Sequence, residues 1–232
     1  EWHSYSATTA EKLVVERATV THLDFLNVEE SKARREAKTR AALKAFYDAL
    51  GGDNWENNDN WNTDAPLNEW YGLYCDYEGH LLGMNLRGNN LSGDVPVEIG
   101  ELTHLTYLDF NYNRLTSIPA TIGALQDLYW LNLDGNQFSE FPESITKLVN
   151  LQLLCLNNNR FTSLPASLSN MKGLTGLLLY ENELTGEIPE VLAELTNLNT
   201  LFLGNNKLTG NLPTWISQLT NLVNLALEEN QL

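Results

Sequence analysis

Few side chains in this 232-residue chain are spaced to do covalent chemistry. The four histidines, His3, His22, His80 and His104, lie far apart in the sequence. No Cys-x-x-Cys, His-Glu-x-x-His, phosphate loop or nucleophile motif accompanies them. Cys155 has no histidine at a matching position to lower its pKa, so a thiol nucleophile is not expected. The stretch DNWENNDNWN over 53–62 is rich in oxygen ligands but lacks the spacing and the glycine of a calcium loop. No enzyme activity, metal ion or cofactor is therefore expected. What does recur at regular intervals is contact chemistry: Tyr107, Trp130 and Leu153 follow one another at 23 residues, and Cys155, Leu178, Tyr180 and Phe202 extend the series. Large apolar and aromatic groups repeated in phase suit recognition, because aromatic side chains supply much contact area with little rotamer freedom to lose.

The period that carries these residues runs through the chain. Six of the seven prolines (Pro96, Pro119, Pro142, Pro165, Pro189, Pro213) are 23, 23, 23, 24 and 24 residues apart. Asn89, Asn113, Asn136, Asn159, Asn182, Asn206 and Asn230 keep the same phase. Between them the frame is LxxLxxLxLxxNxL, as in Leu102-Leu105-Leu108-Phe110-Asn113-Leu115. This pattern predicts one short strand per repeat, stacked into a solenoid in which each coil buries its leucines against its neighbours. In the LxL segment the two leucines point inward and the residues around them outward. The asparagine ends the strand, where its amide can satisfy buried backbone groups of adjacent coils. The proline sets φ where the chain turns along the back. Repeats of 24 carry a glycine, Gly93, Gly186 or Gly210, that the repeats of 23 lack. An excess of leucine and asparagine, 43 and 28 residues, is the compositional trace of the repeat.

The segments LSGDVPVEIGEL, LTGEIPEVLAEL and LTGNLPTWISQL resemble the plant-type leucine-rich repeat, LxGxIPxxLxxL. The preceding segment resembles the N-terminal cap of that family, with Trp70, Gly72, Leu73 and Cys75 on its WxGVxC core. The resemblance implies an α/β repeat fold: a right-handed, curved leucine-rich repeat solenoid with a parallel sheet on its concave face and a helical N-terminal cap. It extends over 38–232 and is similar to receptor ectodomains and polygalacturonase-inhibitor-like proteins, a scaffold that serves many functions. In such caps a second cysteine stands two residues before the tryptophan, where this chain has Asn68. Cys155 lies three strands away, roughly 15 Å, so no disulfide with Cys75 is expected.

Three segments follow: an arm over 1–28, a helical cap over 29–80, and seven repeat strands over 81–232. EESKARREAKTRAALKAFYDAL over 29–50 predicts a helix ended by Gly51-Gly52. Its stripe of Leu43, Phe46, Tyr47 and Leu50 is placed to cover the open end of the first coil. The arm holds Trp2, Tyr5, Val20, Phe25 and other apolar residues, which should rest on the solenoid or on another chain. EWHSYSATTA has neither a basic nor an apolar signal region, so a targeting signal is expected to have been removed. At Leu232 no polar terminal cap follows the seventh asparagine, so further repeats or a covering partner are expected there.

A net charge of -16 argues against nucleic-acid and anionic-membrane partners, and no apolar run is long enough to span a bilayer. Function is expected on the concave face. One lateral row reads Gly83, Tyr107, Trp130, Leu153, Gly176, Thr200, Asn224; the next reads Asn85, Asp109, Asn132, Cys155, Leu178, Phe202, Ala226. A third reads Arg87, Asn111, Asp134, Asn157, Tyr180, Gly204, Glu228. Tyr107, Trp130, Leu153, Cys155, Leu178, Tyr180 and Phe202 form a contiguous diagonal expected to face solvent and to bind a protein or peptide. Asp109, Asn132, Asp134 and Asn157 are expected as polar contacts beside it. With the aromatics they also suit a carbohydrate. A third reading is a structural subunit docked through the arm and the C-terminal edge. The expected setting is extracellular or lumenal.

Overall fold

The computed structural model describes residues 31–232, so the expected arm over 1–28 lies outside the described residues. A helix, α1, covers 31–49, and Gly51 (φ 72) turns the chain out of it. The packing below is that of residues 40–232, the larger of two compact units.

Twelve short strands follow, in chain order. β1 (Leu73–Cys75) and β2 (Leu81–Asn85) form the cap hairpin. β4 (Tyr107–Asp109), β6 (Trp130–Asn132), β7 (Leu153–Cys155), β8 (Gly176–Leu178), β10 (Thr200–Phe202) and β12 (Asn224–Ala226) then add one strand per coil. Together these make an eight-stranded sheet in the order β1-β2-β4-β6-β7-β8-β10-β12, parallel from β2 onward. β3 (Ser92–Asp94) pairs with β5 (Arg114–Ser117), and β9 (Thr185–Gly186) with β11 (Lys207–Leu208), where the coils leave the main sheet. On the back each coil forms a five-residue 3-10 turn, from Val97–Glu101 to Thr214–Gln218. Every such turn starts after one of the periodic prolines, whose ring holds φ near the value a turn needs; Pro96 has φ -73. The glycines of the longer repeats have positive φ, as at Gly93 (φ 102) and Gly210 (φ 91), which explains why those coils carry glycine there.

The core is the leucine ladder. Leu108, Leu131, Leu154, Leu177 and Leu201 are fully buried, as are Phe110, Leu133, Leu156, Leu179 and Leu203 two residues later. The cap seals the first coil with rings: Phe46 lies 5.3 Å from Phe110, Trp55 4.8 Å from Trp61, and Trp61 5.3 Å from Trp70. All three tryptophans donate their indole N–H to backbone carbonyls, of Leu50, Tyr71 and Ala65. Arg40 ties the helix to the cap loop by donating to the carbonyls of Thr63 and Ala65, while its guanidinium lies over Trp70. The helical stripe Leu43, Phe46, Tyr47 and Leu50 is buried throughout. At β12 the equivalent leucine, Leu225, is 39% exposed where Leu201 is at 0%.

Strands of three residues cannot hold such a stack in register unaided, and the asparagines do the rest. Asn159 Nδ2 donates to the carbonyls of Leu133, Leu156 and Asn157 at 3.0, 3.2 and 3.1 Å, and its Oδ1 accepts the amide of Phe138. Asn113, Asn136, Asn182, Asn206 and Asn230 repeat the arrangement. Each amide therefore closes its own turn and reaches back to the preceding coil. Asn89 makes the first rung on the cap, accepting from the Asn57 amide and donating to the Asn57 carbonyl. Asn159→Ala should lower unfolding free energy by at least about 3 kcal/mol, because several buried backbone groups lose their partner at once. The exposed Asn211→Ala should stay within about 0.5 kcal/mol of the parent. Urea denaturation of the two variants checks the contrast; equal midpoints would contradict it.

Candidate functional site

Parallel pairing places residues of one lateral row side by side: Gly83 beside Tyr107, Tyr107 beside Trp130, Trp130 beside Leu153, Leu153 beside Gly176, and Gly176 beside Thr200. The antiparallel cap strand extends this row by one residue, setting Tyr74 beside Gly83. Tyr107 and Trp130 are in ring contact, with centroids 4.0 Å apart.

The expected diagonal is continuous but largely half-buried. Tyr107, Trp130, Leu153, Leu178, Tyr180 and Phe202 are each partly covered by their row neighbours. Cys155 is a correction: at 5% exposure it sits between Asn132 and Leu178 in the register, buried rather than facing solvent. Burial, reinforced by the nearby Asp134 charge, pushes its thiol up to about 12. The Trp130 indole N–H is buried without a hydrogen bond, and it acts on the Cys155 thiol only as a weak opposing influence.

Two of the four polar residues are corrected in the same way, while Asp134 and Asn157 are half-buried. Asp109 and Asn132 are buried, and both are engaged within the protein. Asp109 accepts from the Asn111 amide and from the Tyr107 hydroxyl, and Asn132 Oδ1 accepts from the Asp134 amide. Burial and the Asp109 charge hold the Tyr107 hydroxyl well above the usual tyrosine range. Asp134 accepts from the backbone and side-chain amides of Asn157 at 2.6 and 3.1 Å, and Asn157 Oδ1 accepts from the Tyr180 amide. Burial raises the Asp134 carboxyl despite those two bonds. These bonds brace the face from below.

Two hollows open on the strand-entry side of the row. The larger, about 650 Å³, runs across β6, β7, β8 and β10, with Trp130, Leu153, Gly176 and Leu178 as its floor. Its rim is uncharged and polar: Tyr129, Gln152, Thr175, Asn199 and Thr200. The smaller, about 290 Å³, lies over Gly83 between Tyr74 and Tyr107, closed by Leu82, Asn85 and Thr106. Tyr74 is 56% exposed and Tyr129 48%. Sequence reasoning missed Tyr74, Tyr129 and the rim amides, because the rim stands one residue before the row and Tyr74 belongs to the cap. The signal that was present is the pair of glycines, Gly83 and Gly176, interrupting a row of large side chains. On the opposite edge Tyr112 takes a left-handed backbone (φ 52), packs its ring over Gly135, and carries the Arg87 guanidinium 5.3 Å above it.

Among the described residues no group of three metal-ligating side chains converges, and no helix is long and apolar enough to cross a membrane. No disulfide joins Cys75 and Cys155.

A family model for a leucine-rich repeat region matches residues 81–201, and one for a single leucine-rich repeat matches 197–219. Among solved structures, a leucine-rich repeat protein of Leptospira interrogans is 41% identical with a TM-score of 0.61, over 63% of this chain and 37% of its own. A plant ice-binding protein is 26% identical with a TM-score of 0.68, over 82% and 70%. The Arabidopsis receptor kinase HAESA, solved with the peptide hormone IDA and the co-receptor SERK1, is 25% identical with a TM-score of 0.59, over 82% and 41%. This chain thus spans well under half of two of those chains. It aligns with 7% of a curated relative, a probable leucine-rich repeat receptor-like protein kinase of Arabidopsis thaliana, at 33% identity over 72 residues.

The buried thiol gives a direct check on how closed the face is. In a Cys75→Ser variant at pH 8, Cys155, its thiol pushed up to about 12 by burial, stays protonated. Ellman's reagent should therefore react with it only on unfolding in urea. Rapid reaction of the folded variant would show the sulfur open to solvent.

Proposed function

Because the chain belongs to the leucine-rich repeat family, we propose that it is a non-catalytic recognition module taking a peptide, or a peptide segment of a protein, on the concave face. The observation that carries this reading is the apolar hollow across four parallel strands, floored by Trp130, Leu153 and Leu178 and rimmed by uncharged hydrogen-bonding side chains. Apolar depth with a few polar groups at the edge is what a peptide needs, since its side chains seek burial and its backbone seeks partners. HAESA, with the peptide hormone IDA, supports the same use of the fold. The proposed setting is extracellular, as for a receptor ectodomain.

A carbohydrate fits less well. Of the groups that would meet sugar hydroxyls, Asp109 and Asn132 are buried, and Asp134 and Asn157 bond to each other. The structural-subunit reading draws on the exposed Leu225 at β12. It leaves the hollow unused.

Trp130→Ala with Phe202→Ala should weaken capture of selected peptides at least about tenfold, because central aromatic contacts dominate binding energy. Phage-displayed random peptides selected on the parent protein, then titrated against the variant, supply the measurement. Circular dichroism melting confirms that the variant is folded. Undiminished affinity would contradict concave-face recognition.

A further inference from the structure

The lateral row bounds the chemistry of that ligand further, on the premise that the concave face takes a peptide. From β1 to β10 the row is Tyr74, Gly83, Tyr107, Trp130, Leu153, Gly176, Thr200. Its two low points are the glycines, and each lies in one of the two hollows. Between them stand three large side chains. We infer that the ligand is an extended, net-basic peptide running across the strands. It seats one ring-bearing side chain over Gly83 and a second apolar side chain, six residues along, over Gly176.

Strand spacing sets the register. Gly83 and Gly176 are four strand steps apart in the sheet, roughly 19 Å at about 4.8 Å per step. An extended peptide rises about 3.3 Å per residue and presents every second side chain to the same surface. Six residues cover roughly 20 Å and return the side chain to the protein, whereas five or seven turn it to solvent.

The first hollow selects for a ring. Tyr74 and Tyr107 flank Gly83 two strand steps apart, roughly 9.6 Å, so a ring midway lies about 4.8 Å from each, within ordinary aromatic contact. Its volume of about 290 Å³ suits one such side chain. At Gly83 an added β-carbon would come within 3.2 Å of Tyr74 Cδ2, so glycine is what keeps the floor open. At Gly176 an added β-carbon would run into Leu153 Cδ1; here too the missing side chain is what lets Leu153 settle and the hollow form.

Charge sets the remaining preference. Across the three lateral rows of the seven coils Arg87 is the one basic residue, against Asp109, Asp134 and Glu228, and Glu181 and Glu229 stand one position beyond on the strand-exit side. Arg87 is already stacked on Tyr112. The hollows themselves carry no charge, so the anchors are neutral and lysine or arginine belongs at the positions between or beyond them.

The test is a selection followed by a spacing series. Random twelve-residue peptides displayed on phage are selected on the immobilised 232-residue chain. The enriched pool should carry Tyr, Trp, Phe or Pro, a second apolar residue six positions later, and a basic bias. Synthetic peptides from the pool, re-spaced to four, five, six, seven and eight, should bind best at six and about tenfold or more weaker at five and seven. Gly83→Leu should weaken the six-spaced peptide about tenfold, but leave unchanged a version with alanine at the first anchor. Gly176→Leu should act in the same way on the second anchor. Both variants are expected to fold, because the same row position holds Tyr107, Trp130 and Leu153 in neighbouring coils; melting curves check this. Equal binding at five, six and seven, or indifference to both glycine substitutions, overturns the two-anchor inference. If such peptides still depend on Trp130 and Phe202, concave-face recognition survives that failure. A failure to select any peptide dependent on Trp130 and Phe202 overturns both.

Discussion

The rest of this structure depends on one side chain repeated seven times. Six of the seven asparagines of the ladder are buried, Asn230 is half-buried, and each spends its amide on backbone groups that nothing else would satisfy. A coil that turns after three strand residues leaves carbonyls and amides pointing into an apolar interior. Unpaired, each would cost about 1–3 kcal/mol. The asparagine amide can donate twice and accept twice, which is the valence needed to close one turn and bind the preceding one. An aspartate lacks the donors and a leucine lacks both. Register between coils is therefore set at the strand ends, and the leucines fill the space so defined.

Once register is set, the concave face follows from it. Residues one repeat apart become lateral neighbours, so Tyr107, Trp130 and Leu153 fall into contact and cover much of each other's surface. This is why a diagonal that looks fully exposed in sequence is half-buried in the fold. It is also why the openings appear where a side chain is missing, at Gly83 and Gly176, and not where the largest rings stand. Recognition on such a face is governed by gaps in the row as much as by its aromatics.

The repeat, the cap helix, the strand positions and the role of the ladder were all legible in the sequence, because each rests on a spacing. Phe46 and Leu50 reach the first coil for the same reason that a 3.6-residue period predicts a buried stripe. The burial of Cys155, Asp109 and Asn132 was not legible. Whether an outward residue between two leucines is exposed depends on the bulk of its lateral neighbours, one coil away on either side. Tyr74 was hidden by a different cause: it joins the row through the one antiparallel pair in the sheet, which no repeat period announces. The rim of Gln152, Thr175 and Asn199 lies one position outside the rows and has no hydrophobic signal.

The central claim is that the asparagine ladder, and not strand pairing alone, holds the coils in register. Residue-resolved amide hydrogen exchange of the intact chain tests it most directly. The amides of Leu115, Phe138, Phe161 and Leu184 each donate to a ladder Oδ1 of the following coil. They should exchange as slowly as the strand amides of Leu154 and Leu177, in the same cooperative unit. Exchange of the four at rates like those of the exposed turns, with the strands still protected, would contradict the account.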